Sequence, residues 1–189
     1  MKWFCPCLLI VFTVELVQYY LHYIYNFSPY YIYNSYVPLL HLFYVFIFYK
    51  FATIKTNKAV ILTGAGIFSI VYFFYLFTVG YRDIPMGIIL VYSSLFLVLN
   101  ACLFLYEYLM HDGPTENNRW SSGLWIAVGV IIFYCGIVIS YSLRSYSIAH
   151  QVMLHGKLLH VTLPRYLCMV LYLCLSISFF KWKGHPKSS

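Results

Sequence analysis

Three long stretches of this chain carry no charge, and each is bounded at both ends by a charged residue. Between Lys58 and Arg82, Asp83 and Glu107, and Arg119 and Arg144 run 23, 23 and 24 uncharged residues. At about 1.5 Å of rise per helical residue, each suits one crossing of a hydrocarbon layer about 30 Å thick. Of 189 residues, 62% are hydrophobic and 9% charged, where a soluble domain has roughly 45–50% and about 25%. A water-soluble fold is excluded. The expected class is all-α, a polytopic transmembrane helix bundle, and the chain has room for about six spans and no second domain.

The spans expected are 3–25, 34–51, 59–81, 84–106, 120–143 and 158–180. The N-terminal stretch has a lysine and an apolar run, but it lacks a small-x-small cleavage site and Glu15 interrupts it. It reads as a retained first span rather than a signal peptide. The second span carries Pro38 near its start and His41 a turn further in, after an uncharged, tyrosine-dense connection, NFSPYYIYNSY. Tyrosine favours the headgroup region, where an apolar ring meets a polar tip. The uncharged run 166–180 is too short to cross alone, so the last helix begins near Lys157 or Leu158 and contains Pro164 and Arg165.

The formal charge of +7 would suggest nucleic acid in a soluble protein. Here the basic residues lie in loops and tails, so the lipid bilayer explains them and no nucleic-acid partner is expected. Six spans put Lys2, Lys50, Lys55, Lys58, Arg119, Lys181, Lys183 and Lys187 on one side and Arg82, Arg144, Lys157 and Arg165 on the other. That asymmetry predicts both termini in the cytoplasm. No internal repeat suggests an inverted-repeat transporter.

Cys102, Cys135, Cys168 and Cys174 sit in apolar runs, where cysteine acts as a small hydrophobe. Cys5-Pro6-Cys7 could take a soft metal or palmitate; the plainer reading is small residues flanking a helix-start proline. Gly64 and Gly66 suit close helix packing. The segment HDGPTENNRWSSG is the longest polar connection, either a solvated turn or a partner-docking loop.

Intramembrane polar groups are the candidates for chemistry. Glu15, Gln18 or Tyr19, and His22 fall on one face of the first helix. A carboxylate there must face the bundle interior and find a partner. Arg165 is the candidate, because the two lie about 15 and 10 Å deep from the outer side. Such a pair could form a proton relay or the polar floor of a ligand pocket, or serve only to fix packing.

A b-type haem would need two histidines at matching depth, and His22 and His41 are mismatched by roughly 5 to 10 Å. His150, His155 and His160 would scatter around a helix axis at about 140° per step, so that segment reads as interfacial. No metal site, catalytic residue or cofactor is assigned.

The order of short motifs resembles a group of small, uncharacterised multi-pass membrane proteins of the Bacteroidetes type. The likeness runs through Glu15, Tyr19 and Tyr20, then Tyr33-Asn34-Ser35-Tyr36, then Phe48-Tyr49-Lys50. It continues with Tyr106-Glu107, and with Trp125-Ile126, Gly129, Tyr134 and Gly136. Members of that group usually have one more helix before the glutamate-bearing span, so this chain looks short at its N-terminus.

The resemblance implies a bundle similar in outline to the membrane halves of bacterial sensors, without a kinase or DNA-binding domain. It implies no substrate. The function expected is a non-enzymatic sensor-like or accessory module that binds a small ligand, or another membrane or signalling protein, within its bundle. The alternative is a small proton-coupled carrier using Glu15, His22 and Arg165, and the third reading is a b-haem membrane protein.

Overall fold

With no water in a bilayer core, backbone N–H and C=O groups must be satisfied within the chain, and long apolar runs achieve this as helices. The computed structural model describes residues 9, 12–14, 16–17, 20–21, 23–24, 30–79, 87–110, 118–154 and 156–183. Within these, five long helices form: α1 (Tyr30–Phe51), α2 (Lys55–Val79), α3 (Gly87–Met110), α4 (Asn118–Ser142) and α6 (Leu159–Lys183). A short helix, α5 (Arg144–Ala149), and a two-stranded hairpin, β1 (Met153–Leu154) and β2 (Lys157–Leu158), link α4 to α6. The described positions between 9 and 24 are helical too, and Leu9, Phe12, Leu16, Tyr20 and Tyr23 among them are exposed.

Four helices, Lys55–Thr78, Gly87–Met110, Trp120–Ser142 and Leu159–Trp182, are long and apolar enough to cross a membrane. The protein is therefore an all-α membrane protein. Helix α1 is similar in length, but its six tyrosines, Asn34 and His41 make it more polar.

Several helix bounds differ from those expected. Helix α1 starts at Tyr30 rather than 34, so much of the tyrosine-rich connection is helical. Helix α3 runs Gly87–Met110 instead of 84–106, which puts Glu107 inside it. Helix α4 starts at Asn118, so residues 118–123 are its opening turns and not solvated connection.

Helices α4 and α6 form the most extensive contact between the described elements. Small residues let them approach: a Cβ on Gly129 would lie 2.7 Å from Cys174 Cβ, and one on Gly136 would strike Leu167. The Ser122 hydroxyl lies 2.9 Å from the Ser178 carbonyl and 2.7 Å from its hydroxyl, a polar link of the kind that joins helices in lipid. Proline has no N–H to give the carbonyl one turn earlier, so Pro164 deprives the His160 oxygen of its helical donor. The Ser140 hydroxyl donates to that oxygen at 3.1 Å.

The histidine-bearing segment is not one helix, so an even turn per residue does not apply to it. Gln151 (φ 47°) and Gly156 (φ 74°) take left-handed backbone, and Met153 pairs with Leu158 across the hairpin. His150 packs on Tyr146, with ring centres 4.4 Å apart. His160 Nδ1 lies 3.4 Å from the Ser147 hydroxyl. His155 lies outside the described residues.

Candidate functional site

The apolar helices of this chain have little contrast between faces, so what distinguishes one face is the polar residue that has been taken inside. On α3 the buried face carries Ser93, Leu97, Asn100, Ala101, Phe104 and Glu107. Ser93, Asn100 and Glu107 recur at seven-residue intervals, which keeps them in one line along the helix.

At the end of that line, Glu107 is fully buried. Its Oε2 accepts from Thr53 N at 2.7 Å and from Thr53 Oγ1 at 2.8 Å. Its Oε1 accepts from Asn57 Nδ2 at 2.7 Å and, more weakly, from Ile54 N at 3.4 Å. Four donors on two oxygens is the arrangement an ionised carboxylate satisfies. Thr53 and Ile54 immediately precede α2, whose first N–H groups have no helical acceptor and whose N-terminus favours negative charge. Glu107 thus caps α2 from another helix. An aromatic wall shields it: Phe104 lies 5.5 Å from Phe51 and stacks on Trp120 at 5.6 Å, centre to centre. Further out, Lys50 sits over Phe46 and Lys58 over Tyr49.

Further along, His41 of α1 meets Ser93, with Nδ1 2.6 Å from the hydroxyl. Its ring stacks on Phe68 of α2 at 3.8 Å. Among the described residues, His41 Nε2 is buried with no hydrogen-bond partner, and so are both polar atoms of the Asn100 amide. A buried polar group left unpaired costs roughly 1–3 kcal/mol. All three atoms belong to the polar line of α3 or to the histidine bonded to it. None of α2, α3 and α4 contains another histidine, so no imidazole on those helices can join His41 on a haem.

Ser93 also borders a cavity of about 640 Å³ between α1, α3, α4 and α6. Its walls are mainly apolar, and its polar groups include Tyr36, Tyr44, Tyr134, Tyr172 and Arg165. Arg165 is exposed, so its guanidinium stands at the rim.

Of the residues singled out from sequence, His41 and Arg165 are described, and the cavity relates them: Arg165 lines it, and so does the serine that holds His41. Glu15, Gln18 and His22 lie outside the described residues, as do Cys5 and Cys7. Gly64 lies beneath the Phe96 ring, whereas a Cβ on Gly66 would touch nothing. No group of three metal-ligating side chains occurs among the described residues.

Sequence reasoning missed Glu107, Asn100, Ser93, Thr53 and Asn57. In the sequence Glu107 reads as a charge closing a span, and the other four carry no local signal of their own. The available signal was an asparagine inside a charge-free run, spaced by seven from both a serine and a glutamate. No protein-family model, curated protein or solved structure matches this chain.

Proposed function

We propose that this protein is a non-enzymatic, sensor-like or accessory membrane module that holds a small ligand inside its helix bundle. The observation that carries the reading is the 640 Å³ cavity, a size typical of small-molecule sites with apolar walls and a few convergent polar groups. Its chemistry suits an acidic ligand with an apolar body: the acid pairs with Arg165, tyrosine hydroxyls orient it, and the aliphatic walls take the rest. In this reading Glu15 offers Arg165 a partner when the ligand is absent.

The proposed setting is six spans with both termini cytoplasmic in a bacterial inner membrane. The Thr53–Glu107 bonds support the alternation, because they put the α1–α2 turn and the end of α3 at one membrane face. The likeness to Bacteroidetes-type membrane proteins is part of the same proposal. So is a second membrane or signalling protein as the recipient of the signal.

Mass spectrometry of the protein extracted from native membranes tests the reading. The expected result is a bound non-protein species whose occupancy falls about tenfold in Arg165→Met, the equivalent of about 1.4 kcal/mol. A wild-type protein that carries no such species would overturn it. For the Glu15–Arg165 pair, Glu15→Gln and Arg165→Met should be non-additive when combined; additive losses of folded protein reject the pairing.

A further inference from the structure

The polar line on α3 has two ends. Ser93 borders the cavity, six residues into the helix, whereas Glu107 lies three residues from the other end, against the α1–α2 turn. The cavity thus occupies one half of the bundle and the line continues through the other. Between them, His41 Nε2 and both Asn100 amide atoms are buried without a partner among the described residues. Buried polar atoms of this kind are normally satisfied by internal water. We propose that α1, α2 and α3 enclose a proton path running from the cavity through Ser93 and His41, then Asn100, to Glu107.

Seven residues separate each step on α3, about 10.5 Å of rise. That distance takes a chain of about three waters at hydrogen-bonding separation. Leu97, Ala101 and Phe104 lie between the polar positions and are buried, so the path conducts only when these side chains admit water, the way hydrophobic constrictions gate.

Each transfer conserves the proton. His41 accepts one on Nδ1 from the Ser93 hydroxyl chain and releases one from Nε2, ending neutral. A water at Asn100 passes a proton on, the Glu107 carboxylate receives it on Oε1 as the weak 3.4 Å bond from Ile54 N gives way, and the proton leaves past Thr53 and Asn57. Among the described residues, the groups facing His41 are Ser93, Phe68 and Phe96. Those bonded to Glu107 are Thr53, Ile54 and Asn57. None carries a charge that would trap the proton. The path uses the cavity only as a water entrance and does not depend on the ligand proposed above.

The test uses the full chain in liposomes that contain a pH-sensitive dye, with an inward proton drive set by a potassium gradient and valinomycin. Wild-type vesicles should acidify about tenfold faster than protein-free vesicles, with the intramembrane polar groups as the conducting elements. Asn100→Leu and His41→Phe should each return the rate to the protein-free level at equal helical content, and Leu97→Ala should raise it. His41→Phe keeps a ring against Phe68 and supplies the same reading should Asn100→Leu not be recovered folded. Wild-type vesicles no faster than protein-free ones, or either variant conducting at the wild-type rate, would overturn the proposal.

Discussion

The two sides of the bundle solve the same problem, helix association in lipid, by different means. Helices α4 and α6 meet through glycine and serine: Gly129 on Cys174, Gly136 beneath Leu167, Ser122 bonded to Ser178. Every polar atom in that serine pair is used, and backbone approaches backbone. Helices α1, α2 and α3 meet through larger side chains that surround a fully bonded carboxylate, a half-bonded histidine and an unbonded asparagine. One interface is closed to change, and the other retains unmet hydrogen-bonding capacity. That residual capacity is what the proposed proton path draws on.

The largest expected effect is on the carboxylate. Glu107→Ala takes the acceptor from the Thr53, Ile54 and Asn57 donors and should cost about 3 kcal/mol, the upper end of the range for hydrogen bonds to a charged group. Thermal unfolding in detergent measures it, and a loss under about 1 kcal/mol would mean that the cap is dispensable. Next, Gly129→Ala should cost about 2 kcal/mol by overpacking against Cys174. The same change at Gly66, where a Cβ meets nothing, should be neutral or stabilise by up to about 1 kcal/mol. Equal effects at the two glycines would show that the close approach of Cys174 does not constrain Gly129.

Asn100→Leu has the opposite sign. Replacing an unpaired buried amide with an apolar side chain should raise stability by about 1 kcal/mol, seen as a higher unfolding midpoint in the same assay. A destabilised variant would show that another side chain or backbone group bonds Asn100, and would place it with the serine pair instead. The smallest effect belongs to Ser122→Ala, about 0.6 kcal/mol, the average for interhelical hydrogen bonds in membrane proteins.

The spans were more legible than the site for a physical reason. A membrane crossing is set by length and apolarity, both of which are properties of a contiguous run, and the charge-free stretches display them directly. Hydrophobic contrast between helix faces is what locates an interior, and here lipid-facing and core-facing positions are alike: Phe74 is exposed and Phe48 is buried. The polar residues were the remaining clue. His41 was recognised because a histidine is conspicuous in an apolar helix. Glu107 was passed over because it stands next to a polar connection, and a carboxylate there is ordinarily solvated.

The sequence by itself determined that this chain is helical, membrane-embedded and nearly free of charge within its spans. Those properties follow from the cost of exposing backbone polar groups to lipid, which no arrangement of helices can alter. Only the tertiary structure decided which polar side chains have company. Glu107 meets its donors 50 to 54 residues away, and His41 meets Ser93 across 52, contacts that exist because α1 and α3 run the same way with α2 returning between them. The same packing left Asn100 without a partner, and no reading of neighbours along the chain could have shown it.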